Sequence, residues 1–343
     1  MLSHPVGDSL GAKAKHSFCQ LFTSRGSFSS AFIATDQMDA GDSIRALLAP
    51  LLTLPLLDHI DGLELSTLSR VSASRIAESA LPNIGQIELV DSDAFRDDYS
   101  PLYLAEFEGH ELEPPAAIID RLKDEFAGKR RSVSPYRIVG IRDHDGAAIG
   151  AAQFSIFLLR AEDVVVPYLQ YIYVRPQNRG QMMSELLHTL VLAVSEADAR
   201  SRGWALPRMP FTLCESQPGF GKKEKVDRAM IHSRSGSQAL LLRRKGDGKV
   251  LSAHVQPGLA PEDPPTTLIW LLRACPRGDH MQCDDRLGRA VIAAFYRSLR
   301  DEGFPERNIA LAERMVEARY KDCEFWTMPL SAVTADMVVG LEP

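Results

Sequence analysis

The run Y-L-Q-Y-I-Y-V-R-P-Q-N-R-G-Q-M-M-S-E-L-L, Tyr168 to Leu187, decides how the chain is read. Aromatic and β-branched residues fill Tyr168 to Val174, the pattern stops at Arg175-Pro176, turns through Arg179-Gly180, and resumes with helical spacing. Such side chains suit a pleated strand, so the run predicts a strand, a tight turn and a helix N-terminus. The first amides of a helix have no partner within it, and the positive end of the helix dipole lies there. The turn is therefore a candidate anion site of the kind that takes a pyrophosphate.

Downstream of the turn, Leu186, Leu187, Leu190, Val191 and Val194 share one helix face, and Arg200, Arg202 and Gly203 close the helix. Upstream, Tyr136 to Ile141 and Ala147 to Leu159 read as strands joined by Asp143-His144-Asp145-Gly146, whose Asp-Gly pair signals a hairpin. Pro167 is read as opening the strand that follows. Further back, the alternation after Gly85 predicts a short strand, and Asp91 or Asp93 caps a helix through Phe95, Leu102, Tyr103 and Phe107. Pro114-Pro115 starts a second helix carrying Ile118, Ile119, Leu122 and Phe126. After the long helix come a short strand at Met209 to Cys214, a basic helix at Lys223 to Arg234, and strands at Gln238 to Arg243 and Leu268 to Ala274. Asp284 to Lys321 is mostly two amphipathic helices, read as packing surfaces and not as part of a site.

A chain of 343 residues with 45% hydrophobic and 24% charged residues is long enough for a full core and has an ordinary globular composition. The net charge of -6 argues against a general nucleic-acid binder. The longest apolar stretch, Ala46 to Leu57, is broken by Pro50 and Pro55, so no membrane span or membrane partner is expected. The cysteines Cys19, Cys214, Cys275, Cys283 and Cys323 are scattered, which fits reduced thiols and a cytoplasmic setting. Cys275, His280 and Cys283 lack the spacing of a zinc site, so no metal is expected. No hydrolase motif occurs, and Gly219 to Arg228 is not a phosphate-binding P-loop.

The order of elements, together with Val174-Arg175-Pro176 and Arg179-Gly180-Gln181-Met182-Met183-Ser184, resembles the GNAT superfamily of acyl-CoA-dependent N-acyltransferases. Its signature is [Q/R]-x-x-G-x-[G/A]. Met182 stands here where the motif has glycine, and Ser184 where it has glycine or alanine. The resemblance implies an α/β (α+β) fold with a mixed, mostly antiparallel sheet flanked by helices. It spans residues 85–275, after a flexible tail (1–42) and a helical N-terminal extension (43–84), and before a C-terminal helical extension (276–343).

The same resemblance implies acetyl-CoA or another acyl-CoA as co-substrate and a small-molecule or peptide amine as acceptor. Backbone at Ile172, Tyr173 and Val174 would pair with the pantetheine arm, and Arg179, Gly180, Gln181, Met182, Met183 and Ser184 would cradle the pyrophosphate. Glu215, after the strand ending at Cys214, takes the place of the base. His232, four residues before Gly236, occupies the position of the family's proton-donating tyrosine. The loop with Glu106, Glu108, His110, Glu111 and Glu113 borders the acceptor pocket of that fold, where clustered acids favour a cationic amine. Met182, the absent tyrosine and the long extensions also fit a second reading, a GNAT-fold ligand-sensing or interaction module with weakened catalysis.

Overall fold

The computed structural model describes residues 43–107, 112–129, 134–217, 232–278, 283–334 and 337. The expected tail at 1–42 and the basic helix up to residue 231 lie outside the described residues.

The Asp-Gly hairpin forms where the sequence places it, between β2 (Tyr136–Arg142) and β3 (Ala148–Leu159). The Asp143 carboxylate accepts from the amides of Asp145 and Ala147, and Gly146 supplies a φ of +82°. β3 then pairs along its length with β4 (Val164–Val174). Pro167 does not open β4 but sits inside it, opposite Ile156. The Ile156 amide is turned the other way, donating to the Pro135 carbonyl, so the missing N–H of the proline costs β4 no ladder bond there.

The sheet runs β1-β2-β3-β4-β5-β9-β6-β10, with β1 (Gln86–Leu89) at one edge. β5 is Phe211–Ser216, β6 Ser237–Arg244 and β9 Thr266–Ala274. Two short strands, β7 (Val250–Ser252) and β8 (His254–Gln256), add to β6 and β9. Every strand pair is antiparallel except β4 with β5, which meet at Tyr168↔Leu213 and Leu169↔Cys214 and then separate. The fold is a mixed α/β architecture with a mostly antiparallel sheet flanked by helices, as the resemblance implies.

On one face α1 (Ile44–Leu48), α2 (Leu54–His59), α3 (Ala73–Ser79) and α7 (Met183–Ser201) cover Ile87, Val139, Ile149, Ile172 and Val174. On the other, α4 (Ser92–Ala94) runs through a π-helical turn (Phe95–Tyr99) into α5 (Ser100–Glu106), and α6 (Pro115–Phe126) packs beside it. Asp91 caps the first of these with its carboxylate.

The residues read as a C-terminal helical extension do more than pack. After α8 (Asp285–Asp301) and α9 (Glu306–Tyr320), β10 (Cys323–Pro329) pairs with β6 and extends the sheet. α8 lies close on that strand: a Cβ at Gly288 would fall 2.6 Å from the Phe325 ring. Gly288→Ala is therefore expected to destabilise the fold by about 1–3 kcal/mol through overpacking. The urea midpoint is the measure, and an unmoved midpoint would mean that Phe325 turns aside without cost.

Candidate active site

β4 leaves the sheet at Val174 and passes through a 3-10 turn (Pro176–Asn178) into α7. Gly180 has a φ of +77° and Met182 a φ of +58°, the left-handed region in which a side chain is crowded against its own backbone. The first amide of the helix to meet a backbone acceptor is that of Leu186, which donates to the Met182 carbonyl. Among the described residues the amides of 180 to 185 make no backbone hydrogen bond. Ser184 Oγ is buried beside them and, among the described residues, has no hydrogen-bond partner. The Arg179 side chain is turned elsewhere: its Nε donates to the Val174 carbonyl at 3.0 Å and its guanidinium pairs with Glu106. Burial pushes the Glu106 carboxyl up, and Arg179 opposes that shift.

Where β4 and β5 part, a cavity of ≈ 250 Å³ opens. β4 is irregular at this point. Gln153 faces Tyr171 and Phe154 faces Leu169, so Gln170 is the extra residue of a β-bulge. Gln170 lines the cavity, and its Oε1 is buried without a donor among the described residues.

Glu215 reaches the cavity from β5, its side chain 7% exposed. His254 Nε2 lies 2.8 Å from Glu215 Oε1 but out of line for a hydrogen bond, and the imidazole is stacked on Trp270 with centroids 3.8 Å apart. With its side-chain nitrogen turned toward Glu215, Gln256 donates to both carboxylate oxygens at 3.0 and 3.2 Å. The Tyr168 phenol also bonds to Glu215. Burial, then the Glu215 charge, pushes that phenol well above its usual pKa, so it stays a neutral donor.

The opposite wall is a buried ion triad. Arg121 of α6, its side chain 4% exposed, donates to Glu113 through both terminal nitrogens and lies 3.3 Å from Glu302 at the end of α8. Ser298 Oγ donates to Glu302 at 2.9 Å. Burial works to lower the Arg121 pKa, but Glu302 and Glu113 outweigh it and hold the guanidinium charged.

The structure thus places Glu215 in the cavity wall and the Arg179 to Ser184 turn at the end of β4. It buries Glu106 and Glu113, two acids of the loop, while Glu108, His110 and Glu111 lie outside the described residues. Ile172, Tyr173 and Val174 pair with β3 at Ala152, Ala151 and Gly150; beyond Leu169 no described strand pairs with β4 on its β5 side. His232 begins the helical residues 232–234 before β6, is half-buried, and does not line the cavity.

Gln170, Gln256, His254, Arg121 and Glu302 belong to the site and were not predicted. For Arg121 a signal existed: it stands three residues after Ile118 and one before Leu122, on the apolar face of its helix. Glu302 offered none, because Asp-Glu-Gly after an amphipathic helix reads as a solvated end.

No protein-family model and no curated protein matches the chain. Among solved structures, it is similar to a proposed acyl-CoA N-acyltransferase of Klebsiella pneumoniae, at 18% identity over 55% of this chain and 97% of that one, with a TM-score of 0.28. A phosphinothricin acetyltransferase of the GNAT superfamily from Sinorhizobium meliloti, in complex with AcCoA, is similar at 17% identity over 57% of this chain and 90% of that one, with a TM-score of 0.31. A GCN5-related glucosamine N-acetyltransferase region of a fungal multi-domain β-N-acetylglucosaminidase is similar at 14% identity, covering 47% of this chain and 18% of that one, with a TM-score of 0.28.

Proposed function

We propose that the protein is an acyl-CoA-dependent N-acyltransferase, moving an acetyl or other acyl group directly from CoA to a primary amine. One observation carries this reading: the parallel pair β4 and β5 parts at a bulge, and the gap holds a buried carboxylate, Glu215, on a strand neighbouring the one that ends in the open amides of α7. Residues suited to the cofactor are present. The amides of 180 to 185 and the unpartnered Ser184 hydroxyl offer donors to a pyrophosphate. When bound, acyl-CoA supplies the thioester whose acyl group is transferred.

In this reading Glu215 accepts the proton of the incoming ammonium, and the freed amine nitrogen attacks the thioester carbonyl carbon. Backbone donors near the Gln170 bulge stabilise the charge that gathers on the carbonyl oxygen. The carbon–sulfur bond breaks as the amide forms, and the departing thiolate takes up a proton. His232 is the proposed acid for that last transfer, a role that rests on its place in the motif, whereas Glu215 also has its position in the cavity.

The test is calorimetric titration of the full chain and of Met182→Gly with acetyl-CoA and with CoA. Both proteins should bind, the glycine variant more tightly, since glycine adopts the left-handed conformation without crowding the turn. Absence of binding in both would overturn the proposal. Binding by the glycine variant alone would favour the ligand-sensing module with weakened catalysis.

A further inference from the structure

The residues after 275 read from the sequence as packing surfaces, yet Leu299, Glu302 and Phe304 line the cavity. The same segment also holds another part of the wall from behind. The loop from β8 to β9, residues 257–265, brings Pro257, Gly258, Leu259, Asp263 and Pro264 to the cavity. Four of its nine residues are proline, which fixes the backbone and removes the amide donor. Its buried carbonyls therefore need donors from elsewhere.

Buried side chains of α8 and α9 supply them. Asn308 of α9, 6% exposed, donates through Nδ2 to the carbonyls of Gly258 at 3.0 Å and Ala260 at 2.8 Å. Tyr296 of α8 donates to the Val255 carbonyl at 2.8 Å, and Arg319 of α9 reaches the Ser252 and His254 carbonyls at 3.4 Å. Three side chains of one helix pair thus hold the carbonyls of 252, 254, 255, 258 and 260. Within the loop the Ala260 amide donates to the Asp263 carboxylate at 2.9 Å, and the Asp263 amide to the Ala260 carbonyl at 3.0 Å. A Cβ at Gly258 would overlap the Asp263 carbonyl, so the two arms of the loop lie in contact. The loop is a fixed rim and not a flap.

Resting on the reading of this cavity as the acceptor site, we infer that the C-terminal helices select the acceptor by size, with Asn308 as the positioning residue that sets the limit. The acceptor is a compact primary amine. Its nitrogen lies at Glu215 and its apolar part against Leu259, Pro264, Leu268, Leu299 and Phe304. The cavity of ≈ 250 Å³ holds about eight water-sized groups, which gives the scale of the limit. Asn308 acts through the backbone it holds. Gln256, two residues before Gly258, donates to Glu215, so the tether that fixes the rim also steadies the donor to the base.

The experiment gives the full chain a series of linear primary amines, propylamine to decylamine. Binding is followed by calorimetry with CoA present, and CoA thiol release is followed separately at saturating acetyl-CoA. In the parent, kcat/KM for the amine should rise with each methylene that enters, then fall about tenfold or more at the first that meets the rim. Asn308→Ala removes the tether, and Asn308→Asp keeps its size but sets a carboxylate against two carbonyl oxygens. Both should reduce that fall to about twofold or less, with KM for acetyl-CoA unmoved. A general structural defect would instead weaken every amine and the cofactor alike. Pro261→Gly, at an exposed position of the loop, frees the rim without touching the core, and it decides the matter if the Asn308 variants do not fold. The same length limit in the folded variants overturns the inference. Thiol release with that limit unmoved leaves the acyltransferase standing and removes the rim. A limit relaxed in binding, without thiol release from any amine, does the reverse.

Discussion

Arg121→Met is expected to lower the unfolding free energy by about 3–5 kcal/mol, the cost of leaving buried carboxylates without their cation. Glu113 and Glu302 face that guanidinium with side chains only 5% and 1% exposed, so neither can turn to water without opening α6 or α8 from the sheet. Methionine fills a similar volume, so the loss reports charge and not a cavity. Urea unfolding at pH 8 measures it. Arg121→Met with Glu113→Gln should recover much of the loss. A variant as stable as the parent at pH 8 would show that the triad is hydrated and does not hold α6 to α8.

On the proposed acyltransferase reading, Glu215→Gln is expected to slow acyl transfer about 10²–10⁴-fold, the contribution of a positioned general base. Glutamine keeps the shape of the side chain and an oxygen to accept from Tyr168, so the fold and acyl-CoA affinity should hold while the turnover number falls. Thiol release at saturating acyl-CoA and amine, beside a thermal melt, separates the two effects. Ordinary turnover in the variant would remove Glu215 from the base role and turn attention to a water-borne relay.

Much of the sheet was legible in the sequence because its strands carry long, unambiguous signals. The Asp-Gly hairpin, the aromatic run of β4 and the apolar face of α7 each announce one conformation, and the local and tertiary preferences agree. β7 and β8 are three residues each and owe their form to neighbours, so no period could reveal them. β10 is masked by Trp326, which points outward and is held by the Arg243 guanidinium 3.8 Å above its ring. An exposed tryptophan blurs the alternation that identifies a strand.

The site was most legible on the side built from the strand–turn–helix segment. Met182 was visible as a departure from a glycine position, and the structure gives the departure its physical content in a left-handed φ of +58°. Glu215 could be found from its place after an apolar strand. Of the opposing wall only Glu113 was visible, in the acidic loop; Gln256 and Glu302 come from a three-residue strand and a helix end far apart in the chain, and only the fold brings them together.

The lateness of β10 has a consequence for how the molecule is made. Arg243 of β6 and its partner Glu324 are 81 residues apart. At about 5–20 residues per second of synthesis, β6 would wait on the order of 4–16 seconds for its outer neighbour. During that interval its row of amides and carbonyls is an open edge, able to pair with another chain. Glu302 enters late as well, so the nascent chain has the donor turn of the site before it has the acidic wall. Expression at a slowed elongation rate should therefore raise the aggregated fraction, and a co-expressed β10 peptide should lower it.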